Sequence, residues 1–195
     1  MSCEKEEQSF KSGLLMPMNT GNTWTYKHSH ITNDVLTLDT STIKVGEKIT
    51  IDGYTCYAME SVNSFNAKYL IGNDEYGNFV HFGAFSDVDT LITPLIVYKM
   101  NAKIGDEWES PITIMYASTG DFKIIRIPSK CISEDTLILT PKGKFHCKAF
   151  ERYNVTFNVI YRDYVSVNIG RVKSETFEDD KLFLIEELLE YHLNK

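Results

Sequence analysis

His28 and His30 stand two residues apart in Asn22-Thr23-Trp24-Thr25-Tyr26-Lys27-His28-Ser29-His30-Ile31. Strand alternation puts Trp24, Tyr26, His28 and His30 on one face, a spacing that suits two imidazole ligands of a metal. A metal site would need a third ligand, from His81, His146 or a carboxylate. Partly exposed strand histidines explain the pair more simply, so neither a metal nor a cofactor is expected. His146 beside Cys147 sets a base next to a thiol in sequence, but strand neighbours point to opposite faces and cannot meet without a bulge. The acidic loop residues Asp87, Asp89, Asp106 and Glu107 lack the dense alternation of oxygen ligands that calcium loops use, so they read as solvated turns. Tyr54, Tyr57, Tyr69, Tyr76 and Phe79 could line an apolar ligand cavity; filling a core is the plainer expectation. The chain has no Gly-x-Ser-x-Gly elbow, His-Glu-x-x-His, phosphate-binding P-loop or Gly-x-Gly-x-x-Gly. No catalytic residue is expected, and the ligand-binding residues are left open.

Four cysteines divide into Cys3 near the start and Cys56, Cys131 and Cys147 in apolar, strand-like segments. The three internal ones have no C-x-x-C or Cys/His zinc spacing and read as buried thiols. Two pairings stay open, Cys131 with Cys147 and Cys56 with Cys147. A hairpin turning at Pro141-Lys142-Gly143 would put Cys147 nearer Leu137 than Cys131, which disfavours the first. Residues 1–12 are charged and carry no apolar segment, so they read as a tether to a single β domain over 13–195. Ser2-Cys3 reads as the remnant of a lipobox with an initiator Met in place of the signal peptide, which makes Cys3 the lipidation site. An incidental cysteine at a cytosolic start fits the same residues. Lys5-Glu6-Glu7 resembles the short Lys-plus-acidic signal that sends some lipoproteins of the Bacteroidota to the cell surface.

These residues need a scaffold, and its class follows from the pattern. The chain has 195 residues, 43% hydrophobic and 12% aromatic, enough for one core without disulfides or metals. Its net charge of −7 and lack of a basic patch exclude nucleic acid as an expected partner. No apolar run is long enough to cross a bilayer as a helix. Alternation dominates. Lys48-Ile49-Thr50-Ile51 and Tyr54-Thr55-Cys56-Tyr57-Ala58-Met59 flank Asp52-Gly53, a two-residue hairpin signal. Further strands are expected over 66–71, 78–83, 95–100, 112–117, 121–127, 134–140 and 144–153, and the alternation of Val155, Phe157, Val159 and Tyr161 continues the pattern. The expectation is an all-β, antiparallel, strongly curved sheet, a sandwich or half-barrel of about ten to twelve strands. Local propensity over 182–193 favours a helix. A weak internal echo joins Gly21-Asn22-Thr23-Trp24 to Gly105-Asp106-Glu107-Trp108, the only two tryptophans, as two related half-sheets would.

Four segments occur in a known order: Leu15-Met16-Pro17-Met18-Asn19-Thr20-Gly21-Asn22-Thr23-Trp24-Thr25-Tyr26, Ile104-Gly105-Asp106-Glu107-Trp108, Thr140-Pro141-Lys142-Gly143-Lys144-Phe145-His146-Cys147, and Val167-Asn168-Ile169-Gly170-Arg171-Val172-Lys173-Ser174-Glu175. Together they resemble a largely uncharacterised family of secreted and lipid-anchored proteins of the Bacteroidota and related bacteria, over most of residues 14–190. Asn168 stands where that family commonly has glycine, and Met18 where it has Leu. The resemblance implies a curved antiparallel sheet that ends in a strand, which overrides the helical propensity of 182–193. It also implies export, in agreement with Cys3, and it carries over no activity. The functional expectation is a non-enzymatic envelope lipoprotein on the outer membrane or cell surface, the periplasmic face being the alternative. It would be attached only by its lipid and would act as a binding module for an unknown protein or apolar ligand. A carrier of a hydrophobic ligand is the alternative, and a hydrolase with a loop-built site comes third.

Overall fold

The computed structural model describes residues 13–32, 34–61, 68–85, 90–115 and 122–194. Cys3, Asp87 and Asp89 lie outside them. The described residues form twelve strands and no helix: β1 Thr23–Thr32, β2 Val35–Ile51, β3 Tyr54–Ser61, β4 Lys68–Asn73, β5 Phe79–Phe85, β6 Thr90–Tyr98, β7 Glu107–Met115, β8 Phe122–Thr140, β9 Gly143–Asn154, β10 Val159–Ser166, β11 Gly170–Glu178 and β12 Lys181–His192. They make one antiparallel sheet in the order β6-β5-β4-β3-β2-β1-β12-β11-β10-β9-β8-β7. Two six-strand meanders therefore join where β1 pairs with β12. The sheet curls until its end strands meet. Ser110 Oγ on β7 lies 3.1 Å from the Ile96 carbonyl and 3.2 Å from that of Val97 on β6. Pro94 and Pro111 each lack a backbone donor, and among the described residues the hydrogen bonds across this seam come from the Ser110 hydroxyl rather than from a ladder.

The turns follow local chemistry. Asp52 and Gly53 take φ of 48° and 81°, and Asp179 and Asp180 take 48° and 61°, the mirror-image geometry that matches strand twist in two-residue hairpins. Asn168 sits at φ 64°, where a glycine or an asparagine is tolerated. Its backbone N–H donates to the Leu14 carbonyl at 2.8 Å, and its Oδ1 accepts from the Leu14 N–H at 3.1 Å.

Three segments differ from the pattern-based expectation. β2 begins at Val35 rather than near Lys48; its first half is exposed on both faces and is held by pairing with β1. The segments 121–127 and 134–140 belong to one bulged 19-residue strand, β8. Val155–Asn158 is a turn: Asn154 Oδ1 accepts from the Thr156 N–H at 3.1 Å and Asn158 takes φ 50°, so β10 starts only at Val159. Residues 181–192 form a strand. Despite its helical propensity, this segment pairs with β1 on one side and β11 on the other, and two ladders outweigh a local preference.

The main core lies on the concave side, where Phe79 stacks on Tyr98 at 5.6 Å, Tyr98 on Phe150 at 5.2 Å, and Trp108 meets Phe150 edge-on at 5.8 Å. Leu15, Met16 and Met18, ahead of β1, are buried in the same cluster. Cys56, Leu70, Val80 and Phe82 form a smaller cluster on the other face of the first meander. The two chain ends are clasped by the buried Asn22, whose amide donates to the Pro17 carbonyl and whose Oδ1 accepts from the Asn194 N–H, both at 2.8 Å. The tip of the β8–β9 hairpin bends over the sheet and donates from Lys142 N to the Leu188 carbonyl at 3.1 Å.

Candidate functional site

A polar row crosses the concave face. Register places Phe150, Asp163, Ser174, Glu186, His28 and Asp39 opposite one another on successive strands from β9 through β12 to β1 and β2. Between β10 and β11 the pairing moves from Tyr164 with Lys173 to Val165 with Arg171, leaving Val172 as an extra residue. That bulge turns Arg171 to the same face as Val165, so a cation that alternation would send outward lies inside.

Asp163 is fully buried and is the centre of the row. Its Oδ2 accepts from Arg152 Nη2 at 2.7 Å and Nε at 3.1 Å, and its Oδ1 from the Ser174 hydroxyl at 2.8 Å. Arg171 lies 3.8 Å from Asp163 and 3.3 Å from Glu186. Glu186 also faces His28 Nδ1 at 3.5 Å, while His28 Nε2 meets Ser41 Oγ at 2.6 Å. The guanidiniums of Arg171 and Arg152 lie over the rings of Tyr26 and Tyr161, at 5.0 and 5.3 Å. Burial alone would raise the Asp163 carboxyl, but the charges of Arg152 and Arg171 and its hydrogen bonds hold it below the usual carboxylate range. Burial likewise opposes the charge on both arginines; Asp163 for Arg152 and Glu186 for Arg171 outweigh it. Tyr26 is pushed up to about 12 by burial, and its hydroxyl donates to the Arg171 carbonyl at 2.9 Å. The row is a set of mutually neutralised charges.

The histidines singled out in the sequence separate. His28 and His30 do share a face, stacked with centroids 6.1 Å apart. His81 is buried beside Tyr69 on β5 of the same meander, four strands away, and His146 is exposed on the second meander and pairs with Asp135 at 2.8 Å. Among the described residues no group of three or more His, Cys, Asp or Glu could hold a metal. His146 and Cys147 point to opposite faces. Cys56, Cys131 and Cys147 are free and buried, Cys147 lies opposite Thr136, and burial followed by Asp135 pushes its thiol up to about 12. Tyr54 and Tyr76 are exposed while Phe79 is in the core, so the five aromatics do not line one cavity. Asp106 accepts from the Lys103 N–H at 3.0 Å as a turn residue, and Glu107 is an exposed strand start.

The buried charges were the residues that sequence reasoning missed. One signal was present: Asp163 falls in phase with Tyr161 and Val165, an acid on an otherwise apolar face. Arg171 had none, because a bulge reverses its side.

At one mouth of the barrel, where the β4–β5 turn, the β6–β7 loop and the N-terminal segment converge, lies a cleft of about 570 Å³. Tyr76 stands at its rim, and Lys148 on β9 is part of its lining.

No protein-family model matches the chain, and no curated protein matches it significantly. Two solved structures share its fold. One is a candidate exported protein with YmcC-like fold from Bacteroides fragilis NCTC 9343, 13% identical, covering 93% of this chain and 100% of that one with a TM-score of 0.61. The other is a candidate lipoprotein from Parabacteroides distasonis ATCC 8503, 14% identical over the same shares, with a TM-score of 0.50. The chain has the all-β curved-sheet architecture of these proteins.

Proposed function

We propose that this protein is a non-enzymatic binding module of the bacterial envelope, held at the outer membrane or cell surface by a lipid on Cys3. The observation that carries the reading is the neutralised row on the concave face. Asp163 is engaged by Arg152 and Ser174, and Glu186 lies against Arg171 and His28, so the acids that could do proton transfer are committed to holding strands together. Burial raises the thiols of Cys56, Cys131 and Cys147, away from nucleophilic use. The fold neighbours add support for the location, one described as exported and the other as a lipoprotein. The same row disfavours a carrier of an apolar ligand, whose cavity would need an uncharged floor, and the aromatic stack from Phe79 to Trp108 occupies much of the interior.

The test expresses the chain behind a lipoprotein signal peptide in a Bacteroidota host fed an alkyne-tagged fatty acid. Label on the wild type, and a soluble, unlabelled Cys3→Ser variant, are expected; an unlabelled, soluble wild type would overturn the anchoring. Native mass spectrometry of the released domain tests the carrier: a reproducible excess mass lost on denaturation would favour it.

A further inference from the structure

The β8–β9 hairpin has two unlike faces. Ile138 and Phe145 pack against the main core, while Leu137 and Leu139 alternate to the other side and are 55% and 64% exposed. Pairing sets His146 opposite Leu137 and Lys144 opposite Leu139, and Lys142 at the tip is exposed. The bond from Lys142 N to the Leu188 carbonyl folds this hairpin over one mouth of the barrel, with its leucines outward. Two turns at the same mouth, Asp74–Gly77 and Lys103–Asp106, carry Tyr76 and Ile104 between their ends, 67% and 66% exposed. Polar residues ordinarily fill such turns, so this end gathers large apolar side chains where they are least expected.

The charges there nearly cancel. Asp135 faces His146, Glu134 faces Lys103, and Asp74, Glu75 and Asp106 stand against Lys142, Lys144 and Lys148. Net charge therefore selects no partner, and apolar contact must drive any docking. The opposite rim also exposes apolar groups, Val155 and Phe157 in the β9–β10 turn. What separates the two ends is where the chain leads. Gly13 lines the cleft at the hairpin's mouth, beside Gly77 and Val167, and residues 1–12 continue from it to Cys3 and the start of the chain. Between Gly13 and Cys3 the chain spans at most about 33–36 Å, so a lipid on Cys3 keeps this mouth within that reach of the bilayer.

We propose that this mouth docks on the surface of a zwitterionic phospholipid bilayer. Leu137, Leu139, Ile104 and Tyr76 sit among the headgroups, and Lys142 and Lys144 reach the phosphates while their stems cover apolar surface. The opposite rim then points away from the membrane, where a partner can reach it. The proposal deepens the envelope role and rests on the Cys3 anchor argued above.

The test supplies that anchor chemically. The full chain is coupled through the Cys3 thiol to a maleimide lipid in vesicles of phosphatidylcholine and phosphatidylethanolamine; Cys56, Cys131 and Cys147 are buried. A reporter is introduced as Leu139→Trp or, at the opposite rim, as Val155→Trp, and tryptophan quenching by lipids brominated high in the acyl chain is read against the unsubstituted chain. Leu139→Trp should raise the quenching about twofold or more, and Val155→Trp should add none. Ile104→Trp, at an exposed turn, should behave as Leu139→Trp and serves if that variant fails to fold. Equal quenching at both ends, quenching through Val155→Trp alone, or none at any position would overturn the docking. So would a Leu139→Trp emission shielded from water but not quenched, which would place a second copy of the chain on the hairpin. Fatty-acid labelling of Cys3 in the cell is read separately, so failure of the anchor and failure of the docking are told apart.

Discussion

Cys131 in the second meander occupies the position that Val45 occupies in the first. The Val45 carbonyl accepts from the Gly21 N–H at 2.8 Å and its N–H donates to the Asn22 carbonyl at 2.9 Å; Cys131 makes the same two bonds to Gly105 and Asp106, at 2.9 and 3.0 Å. Gly21 and Gly105 take φ of 87° and 89°, and Asn22 and Asp106 each donate a backbone N–H to a residue three earlier. Both inner residues are buried and are followed by a register shift, after Val45 in β2 and after Cys131 in β8. The tetrapeptide echo is thus a repeated structural device. It starts each meander and plants Trp24 and Trp108 in one core.

If the two positions are equivalent, Cys131→Val should be tolerated, changing unfolding free energy by less than about 1.5 kcal/mol, as volume-conserving core exchanges do. Cys131→Asp should be destabilising by several times that, since it buries a charge without a partner. Urea unfolding of both variants checks this, and a large loss in the valine variant would show that the thiol makes contacts that Val45 does not.

The Asp163 row makes a prediction about acid. The folded-state pKa of Asp163 lies below its unfolded value of about 3.9, so its contribution is present above that value and is lost as pH falls through the folded one. Asp163→Asn leaves Arg152 and Arg171 buried with less compensation, at a cost of about 3–5 kcal/mol near neutral pH. The variant should also lose stability less steeply below about pH 4. Replacing Asp163 and Arg152 together by Leu and Met should cost less than the sum of the single changes, and strict additivity would count against the coupling.

His81 acts in a different window. Burial lowers its imidazole from 6.5 to about 4. Between those values the unfolded chain binds a proton that the native state refuses, so stability falls as pH drops from about 6.5 to about 4, by at most roughly 3 kcal/mol. His81→Gln should flatten that slope. The ring-proton NMR signal of His81 should stay unchanged down to about pH 5, and a midpoint near 6.5 would contradict its burial.

Alternation and turn chemistry carried the fold class, the Asp52-Gly53 hairpin and the curved sheet into view from sequence alone. The limits were physical. The first half of β2 is exposed on both faces, so no buried stripe marks it, and its pairing with β1 makes it a strand. The last strand reads as a helix locally, and its two ladders exist only once β1 and β11 are beside it. At the site, Asp163 was visible as an acid in an apolar phase, but Arg171 depends on a bulge and Lys148 on the distant Ala102 carbonyl. Single-strand periodicity holds neither.

The seam between β6 and β7 is the weakest closure of the barrel. Ser110 Oγ accepts from Trp108 Nε1 at 3.0 Å and faces the carbonyls of Ile96 and Val97, so one hydroxyl does what a ladder does between other strands. Ser110→Ala leaves the buried seam carbonyls without that donor and Trp108 without its acceptor, at a cost of about 1–3 kcal/mol. The effect should be local. Amide exchange along β6 and β7 should quicken in the variant while the paired centre of β1 and β12 keeps its protection relative to global stability. Uniform acceleration across all strands would mean that the seam opens only with the whole sheet, and that closure is carried by the aromatic stack from Tyr98 to Trp108 rather than by the hydroxyl.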